Sequence, residues 1–244
     1  MTDAMQLADK NLEDRLRNAT YPGRGLVLGT HESGRTLVQV YWIMGRSENS
    51  RNRVFVADGV ELRTEPADAH KCKDPSLIIY NAMRELDGVC IVTNGDQTDT
   101  ICEALRSGGT FESALDTRRF EPDAPNFTPR VSGLVDLADE RDAYKLGILK
   151  TIGNDADRPV RQYFNYETAV PGIGHTIATY SGDGSPLPAF DGEPQPMPIP
   201  DDLDATLDLY WSALNADNKV SLLVKHINRA TNESEVRIAN KNQA

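Results

Sequence analysis

The sequence predicts an α+β fold built on antiparallel sheets. Strand-length apolar segments follow one another in hairpin order, separated by Gly, Asn and Asp turn signals. Helical periodicity is confined to a few segments between groups of strands, and no internal repeat is present. At 244 residues the chain is long enough for a substantial core, and it reads as a helical extension over 1–20 followed by a single domain over 21–244.

The elements follow from local pattern. Met5, Leu12 and Leu16 lie at roughly helical spacing and predict a short amphipathic helix over 4–18, which YPGRG at 21–25 breaks. Residues 26–29 and 36–44 predict two strands joined at HESGR, where Ser33 and Gly34 supply the turn. Residues 54–57 and 60–63 predict a second pair turning at Asp58 and Gly59, and DPSLIIYNAMREL predicts an apolar strand running to Tyr80 and Asn81. A strand over 88–92 ends at a turn marked by Asn94 and Gly95, after which Thr98 or Asp99 caps a helix. Residues 111–119 continue helical until prolines 122, 125 and 129 stiffen a loop that presents Glu121, Asp123, Asn126 and Arg130. Strands are expected over 131–136, 144–151, 160–170 and 175–180. The last runs into a long Gly and Pro loop that Leu187 and Phe190 anchor as a packed lid. A helix over 203–214, a strand over 220–228 and an edge strand in ESEVRIAN complete the chain.

Composition excludes several classes. A net charge of −11 is unsuited to nucleic acid, whose binding depends on a basic face, so an anionic partner has to be small and held in a locally positive pocket. Cys72, Cys90 and Cys102 show no CxxC spacing, and no two of His31, His70, His175 and His226 fall at metal-ligand spacing; neither a metal nor another cofactor is expected. The charged start lacks a signal-peptide core and no apolar run reaches membrane-spanning length, which predicts a cytoplasmic protein with no membrane partner.

One stretch stands out. YWIMGRSENSRNR passes from a buried strand to Arg46, Arg51 and Arg53 with Glu48 as its one carboxylate. Guanidiniums at the end of a buried strand suit a phosphate or carboxylate, because each offers a planar fork of donors with a permanent charge. A basic loop salt-bridged to an acidic protein fits these residues equally well. Arg24, in Gly-Arg-Gly, is a further cation able to face the same site.

YPGRGLVLG, YWIMGRSENSRNR, TNGDQTDTI, FEPDAPNFTPRVSG and PGIGHTIATYSGDGSPLPAFDGEP, in this order, resemble the archaeal-type IMP cyclohydrolase family and its bacterial relatives, over roughly residues 21–200 and more weakly beyond. The resemblance implies an N-terminal-nucleophile-hydrolase-like αββα sandwich, two antiparallel sheets between helical layers. It implies closure of the purine ring, from 5-formamidoimidazole-4-carboxamide ribonucleotide to IMP and water, without a cofactor. On that resemblance Glu121 is the proton-transfer group, Tyr80 polarises the formyl oxygen or orients the base, and Arg53 stabilises the oxyanion. Arg24, Arg46 or Arg51 holds the phosphate, Asn94, Asp96, Thr98 and Asp99 line base and ribose, and Asn52 and Arg130 add substrate contacts. Read from the residues alone, Tyr80 is a core tyrosine, Glu121 a surface carboxylate and His175 structural.

The chain departs from the family in two places. Its arginine run is longer than the family's Ser-Arg-Ser-Phe-Pro-Asn-Arg, so Arg51 and Arg53 compete for one role; Arg53 is favoured because it follows Asn52. About twenty residues precede the first strand, so a nucleophilic Thr20 would require processing and self-cleaving chemistry is not expected. A non-catalytic purine-ribonucleotide-binding protein and an amidohydrolase of the same fold are the alternatives. The expected partner is a small ribonucleotide, with a homo-oligomer as the expected assembly.

Overall fold

Two hairpin-connected sheets face each other across the core of this computed structural model, which describes residues 3–59, 61–72, 75 and 78–242. In chain order the elements are α1 (Asp3–Leu12), β1 (Gly25–Thr30), β2 (Thr36–Met44), α2 (Glu48–Arg51), β3 (Val54–Asp58), β4 (Glu61–Glu65), β5 (Asn81–Leu86) and β6 (Val89–Thr93). There follow α3 (Gln97–Arg106), α4 (Phe111–Asp116), β7 (Arg130–Asp136), β8 (Tyr144–Ile152), β9 (Asp155–Tyr166), β10 (Ile173–Ala178), β11 (Gln195–Pro198), α5 (Leu203–Ala213), β12 (Lys219–Asn228) and β13 (Ser234–Asn240). One sheet has the order β11-β10-β1-β2-β12-β13; the other runs β3 to β9 as a simple meander. Every paired neighbour is antiparallel, as the hairpin order predicts.

Burial explains the strand sequences. β2 is buried from Leu37 onward, so it reads as a continuous apolar run where a half-exposed strand would alternate. The meander does alternate. Cys90, Val92, Val131, Val135, Leu146 and Ile148 join the core between the sheets, while Ile91, Leu134 and Leu149 pack with Ile101, Phe111 and Leu115 of α3 and α4. At Gly133 the sheets pack closely: a Cβ there would stand 2.8 Å from Leu28 Cδ1, so a side chain would push against the facing sheet. α5 packs on β12 and β13, and α1 packs on β11. α1 continues through a π-helical turn (Glu13–Arg17) that buries Leu16 beside Leu12 in the main core.

Several expectations are corrected. Val60, Asp74, Ser76 and Leu77 lie outside the described residues. The strand expected from residue 74 to Asn81 instead begins at Asn81, because the Pro75 carbonyl accepts the N–H of Ile78 and Ile79 and turns the chain. α3 starts at Gln97 with Asp96 in the capping position and no side-chain cap bond, so neither Thr98 nor Asp99 caps it. β9 runs over Asp155–Tyr166 where 160–170 was expected, since Gly153 and Asn154, both at positive φ, turn the hairpin earlier. β11, the short Gln-Pro-Met-Pro strand, was not foreseen; it lies at a sheet edge, where a missing N–H is tolerated. The lid is packed as expected: Leu187 and Phe190 are buried, and Lys150 Nζ donates to Phe190 O at 2.6 Å.

Among the described residues no helix is long and apolar enough to cross a membrane. Two buried histidine contacts make stability depend on acid. Tyr144 Oη and His175 Nδ1 share a hydrogen bond of 2.7 Å, and His31 and His226 meet Nε2 to Nε2 at 3.2 Å, an arrangement that needs one ring neutral. Burial pulls His175 and His226 down to about 4. Between the unfolded value near 6.5 and the folded value near 4 the unfolded chain binds protons that the folded chain refuses, so stability falls as pH falls through that window. Denaturant unfolding should show a loss on the order of 2 kcal/mol for each histidine, and His226→Gln should flatten the slope.

Candidate active site

The positioning begins at the entry to β1. Gly23 has φ +75°, and a Cβ on it would lie 2.1 Å from Thr179 Oγ1, so only glycine lets the chain lie against the lid strand here. Arg24 follows, its backbone N–H donating to Thr179 Oγ1 at 3.1 Å. Its buried guanidinium then divides between two acceptors, the Asn94 carbonyl at 2.9 Å and Glu121 Oε2 at 3.0 Å. Burial alone would lower the Arg24 pKa. The Glu121 carboxylate, helped by the Tyr80 and Tyr41 hydroxyls, outweighs that and holds it well above its ordinary value.

Glu121 owes its place to the proline loop. Its N–H donates to Thr128 O at 2.9 Å, and the loop is clipped to the end of β6 by Asn94, whose Nδ2 donates to Pro129 O and whose Oδ1 accepts the Val131 N–H, both at 2.9 Å. Asn94 therefore holds the Arg24 guanidinium through its backbone and the Glu121 loop through its side chain.

Together these groups wall a cavity of about 270 Å³ lined by Arg24, Arg46, Arg53 and Glu121, with Tyr21, Tyr180, Asp123 and Thr128 among the other lining residues. Arg46 bonds Asp183 and, at 3.1 Å, Gly184 O of the lid, and its guanidinium stands 5.0 Å from the Tyr21 ring centroid. Arg53 is held through Nε to Ser50 O at 2.9 Å. Tyr21 and Tyr180 stack at 6.0 Å between centroids. Among the described residues no group of three or more His, Cys, Asp or Glu side chains is placed to hold a metal ion.

The other expected site residues fall elsewhere. Tyr80 is buried behind the cavity rather than lining it, with its hydroxyl 2.6 Å from that of Tyr41. Arg130 binds Asp96 at 2.6 Å and Gln97 at 2.8 Å, and burial lowers its pKa although Glu121 and Asp96 are near. Asp96 is itself pulled below the carboxylate range: burial opposes the shift, but Arg118 and Arg130 override it. Thr98 is spent on Thr93 Oγ1 at 2.7 Å, and Asp99 on Asn81 at 2.9 Å and Arg84 at 3.1 Å. Arg51 and Asn52 line a separate pocket with Asp68 and Lys71. Arg51 clamps Gly45 O at 2.8 Å and Asn218 Oδ1 at 3.0 Å, and Asn52 exchanges two 2.8 Å bonds with the Asp68 backbone. Arg51→Ala should therefore leave KM within about twofold of wild type while costing on the order of 1 kcal/mol of unfolding free energy, read by denaturant titration beside steady-state kinetics.

Local pattern gave no sign of Tyr21, Tyr180, Thr128, Ser47, Asn49 or Ser50 as lining residues. Tyr21 and Tyr180 meet only because β1 and β10 pair.

The chain is thus an α+β protein whose two antiparallel sheets carry a cavity lined by Arg24, Arg46, Arg53 and the buried Glu121. The chain belongs to the IMP cyclohydrolase-like protein family, whose sequence model matches residues 21–233. It is 30% identical over 173 residues to the IMP cyclohydrolase of Methanopyrus kandleri, covering 69% of this chain and 79% of that one. It is also 31% identical over 125 residues to that of Methanosphaera stadtmanae, covering 49% and 60%, and 34% identical over 117 residues to that of Methanococcus maripaludis, covering 46% and 56%. The chain thus spans more than two thirds of the first relative and under two thirds of the other two.

Proposed function

We propose that this protein is an IMP cyclohydrolase, closing 5-formamidoimidazole-4-carboxamide ribonucleotide to IMP with loss of water. The observation that carries the reading is the buried Arg24–Glu121 pair in the wall of a cavity that also holds Arg46 and Arg53. Family membership supports the same reaction.

The chemistry sets what the site has to do. A carboxamide nitrogen, a poor nucleophile, attacks a formamide carbon, a poor electrophile. The nitrogen gives up one proton in the attack and the formamide N–H gives up the other in the dehydration; the formyl oxygen takes both and leaves as water. No oxidation state changes, so the reaction needs no redox carrier. Both reacting groups sit on one imidazole, and holding their rotamers supplies on the order of 7–11 kcal/mol in favourable cases.

Glu121, bonded to Arg24 Nη2 in the cavity wall, takes the carboxamide proton and returns it to the departing oxygen. Arg53, held through Nε to Ser50 O, offers its other guanidinium N–H groups to the developing oxyanion. Arg46 at the mouth holds the phosphate, exchanging its Asp183 partner for the ligand. Asn94 holds Arg24 and the proline loop, and Arg130 is tied to Asp96 and Gln97, both one layer behind the substrate.

We also read helices outside two facing antiparallel sheets as the N-terminal-nucleophile-hydrolase-like sandwich, in one domain over 21–244. Purine biosynthesis in the cytoplasm and a homo-oligomeric state belong to the same proposal. An amidohydrolase using Thr20 would have to shed residues 1–19, which would strip Leu12 and Leu16 from the core. Incubation of the purified protein with the formylated ribonucleotide should raise ultraviolet absorbance as hypoxanthine forms. An unchanged spectrum with folded protein would sink the activity and leave the fold standing.

A further inference from the structure

The direction of one hydrogen-bond chain in the cavity wall is set by its last member. The Asp123 carboxylate has lone pairs and no proton to give. It accepts the Thr128 backbone N–H at 2.6 Å through Oδ1 and the Thr128 hydroxyl at 2.5 Å through Oδ2. A hydroxyl owns one proton, so Thr128 Oγ1, having given its own away, can only accept from Tyr180 Oη at 2.5 Å. That contact uses the Tyr180 proton in turn. Burial keeps the phenol protonated by raising its pKa, and Tyr180 lines the cavity. All that its oxygen has left for a ligand is a lone pair.

We propose that Tyr180 is a specificity-determining acceptor that recognises an N–H at the reacting edge of the base. Resting on the ring-closing reading above, this N–H belongs to the carboxamide nitrogen of the substrate and, after closure, to the ring nitrogen that it becomes. The match is to a group that keeps one proton throughout: the carboxamide nitrogen starts with two, loses one on attack and retains the other in the product. An acceptor at this point holds the carboxamide by its nitrogen and refuses the flipped rotamer, which would set carbonyl lone pairs against the phenol oxygen. It also separates purine nucleotides. A 6-oxopurine presents an N–H at the first ring position, whereas a 6-aminopurine presents a bare lone pair there.

The chain can be reversed by one atom. In Asp123→Asn, Oδ1 still accepts the Thr128 N–H while an amide N–H replaces Oδ2. Thr128 then accepts from the amide, donates to Tyr180, and frees the Tyr180 proton to point into the cavity. Calorimetric titration with inosine monophosphate and adenosine monophosphate reads the change. Wild type should favour the inosine nucleotide by about tenfold, the worth of one hydrogen bond made against one left facing a lone pair. Asp123→Asn should lose or invert that ratio, and Tyr180→Phe should bring it near one. If Asp123→Asn does not fold, Thr128→Val is the second arm, since it breaks the chain and should narrow the ratio. Wild type that binds both nucleotides alike, or a folded Asp123→Asn with an unchanged ratio, overturns the inference; ring-closing turnover in the same preparation would then leave the functional reading intact. Wild type with neither nucleotide binding nor turnover would bring down both.

Discussion

Replacing Glu121 by Gln is expected to lower kcat by about 10²–10⁴, the usual contribution of a positioned acid-base group, with KM changed less than about threefold. The amide keeps the shape of the carboxylate and can still accept from Arg24 Nη2, so the cavity and its arginines stay in place. What it loses is the ability to take a proton from the carboxamide and return it to the leaving oxygen. Steady-state kinetics beside product affinity separate the roles. A kcat within about threefold of wild type would show Glu121 to be scaffolding, and a protein that binds the nucleotide without turnover would be a binding module.

The second large effect is on stability. Arg24 and Glu121 are both buried, with side-chain exposures of 9% and 5%, so removing either partner leaves an uncompensated charge with little water to reach it. Arg24→Met should cost about 3–5 kcal/mol, more than Glu121→Gln, whose amide still accepts a hydrogen bond. The double variant should recover part of the loss, with a coupling on the order of 1–3 kcal/mol in a double-mutant cycle. Denaturant titration of the four proteins measures it. Additive losses would mean that the pair contributes no mutual energy and that each residue is held by its other contacts, such as the Arg24 bond to the Asn94 carbonyl.

Where local chemistry governs, the sequence was legible. The turns at Gly34 and Gly59 need positive φ, and both strand pairs turn there. The prolines at 122, 125 and 129 interrupt helix and strand alike, and the loop they build does present Glu121 and Asp123 to the cavity. Two local failures have local reasons. β11 carries two prolines that argue against a strand until an edge is available to receive them, and the strand expected before Tyr80 is cut short by the turn at Pro75. The site was legible only as a set of candidates. Thr98, Asp99 and Asn52 stand in the right motifs yet are spent on protein partners, which no single-chain pattern reveals.

By itself the sequence determined the succession of hairpins, the buried strand ending in arginines and the stiffened loop carrying an acid, because each follows from periodicity and turn chemistry within a few residues. Only the tertiary structure decided which arginines line the cavity. The helical turn Glu48–Arg51 sends Arg51 back onto Gly45 and Asn218, while Arg53, just beyond it, lines the cavity. The Arg24–Glu121 pair joins residues 97 positions apart, and the Asp123–Thr128–Tyr180 chain spans the proline loop and the lid. Partners so distant are chosen by how two sheets pack and by which polar groups remain unsatisfied once they do, and neither is written in local spacing.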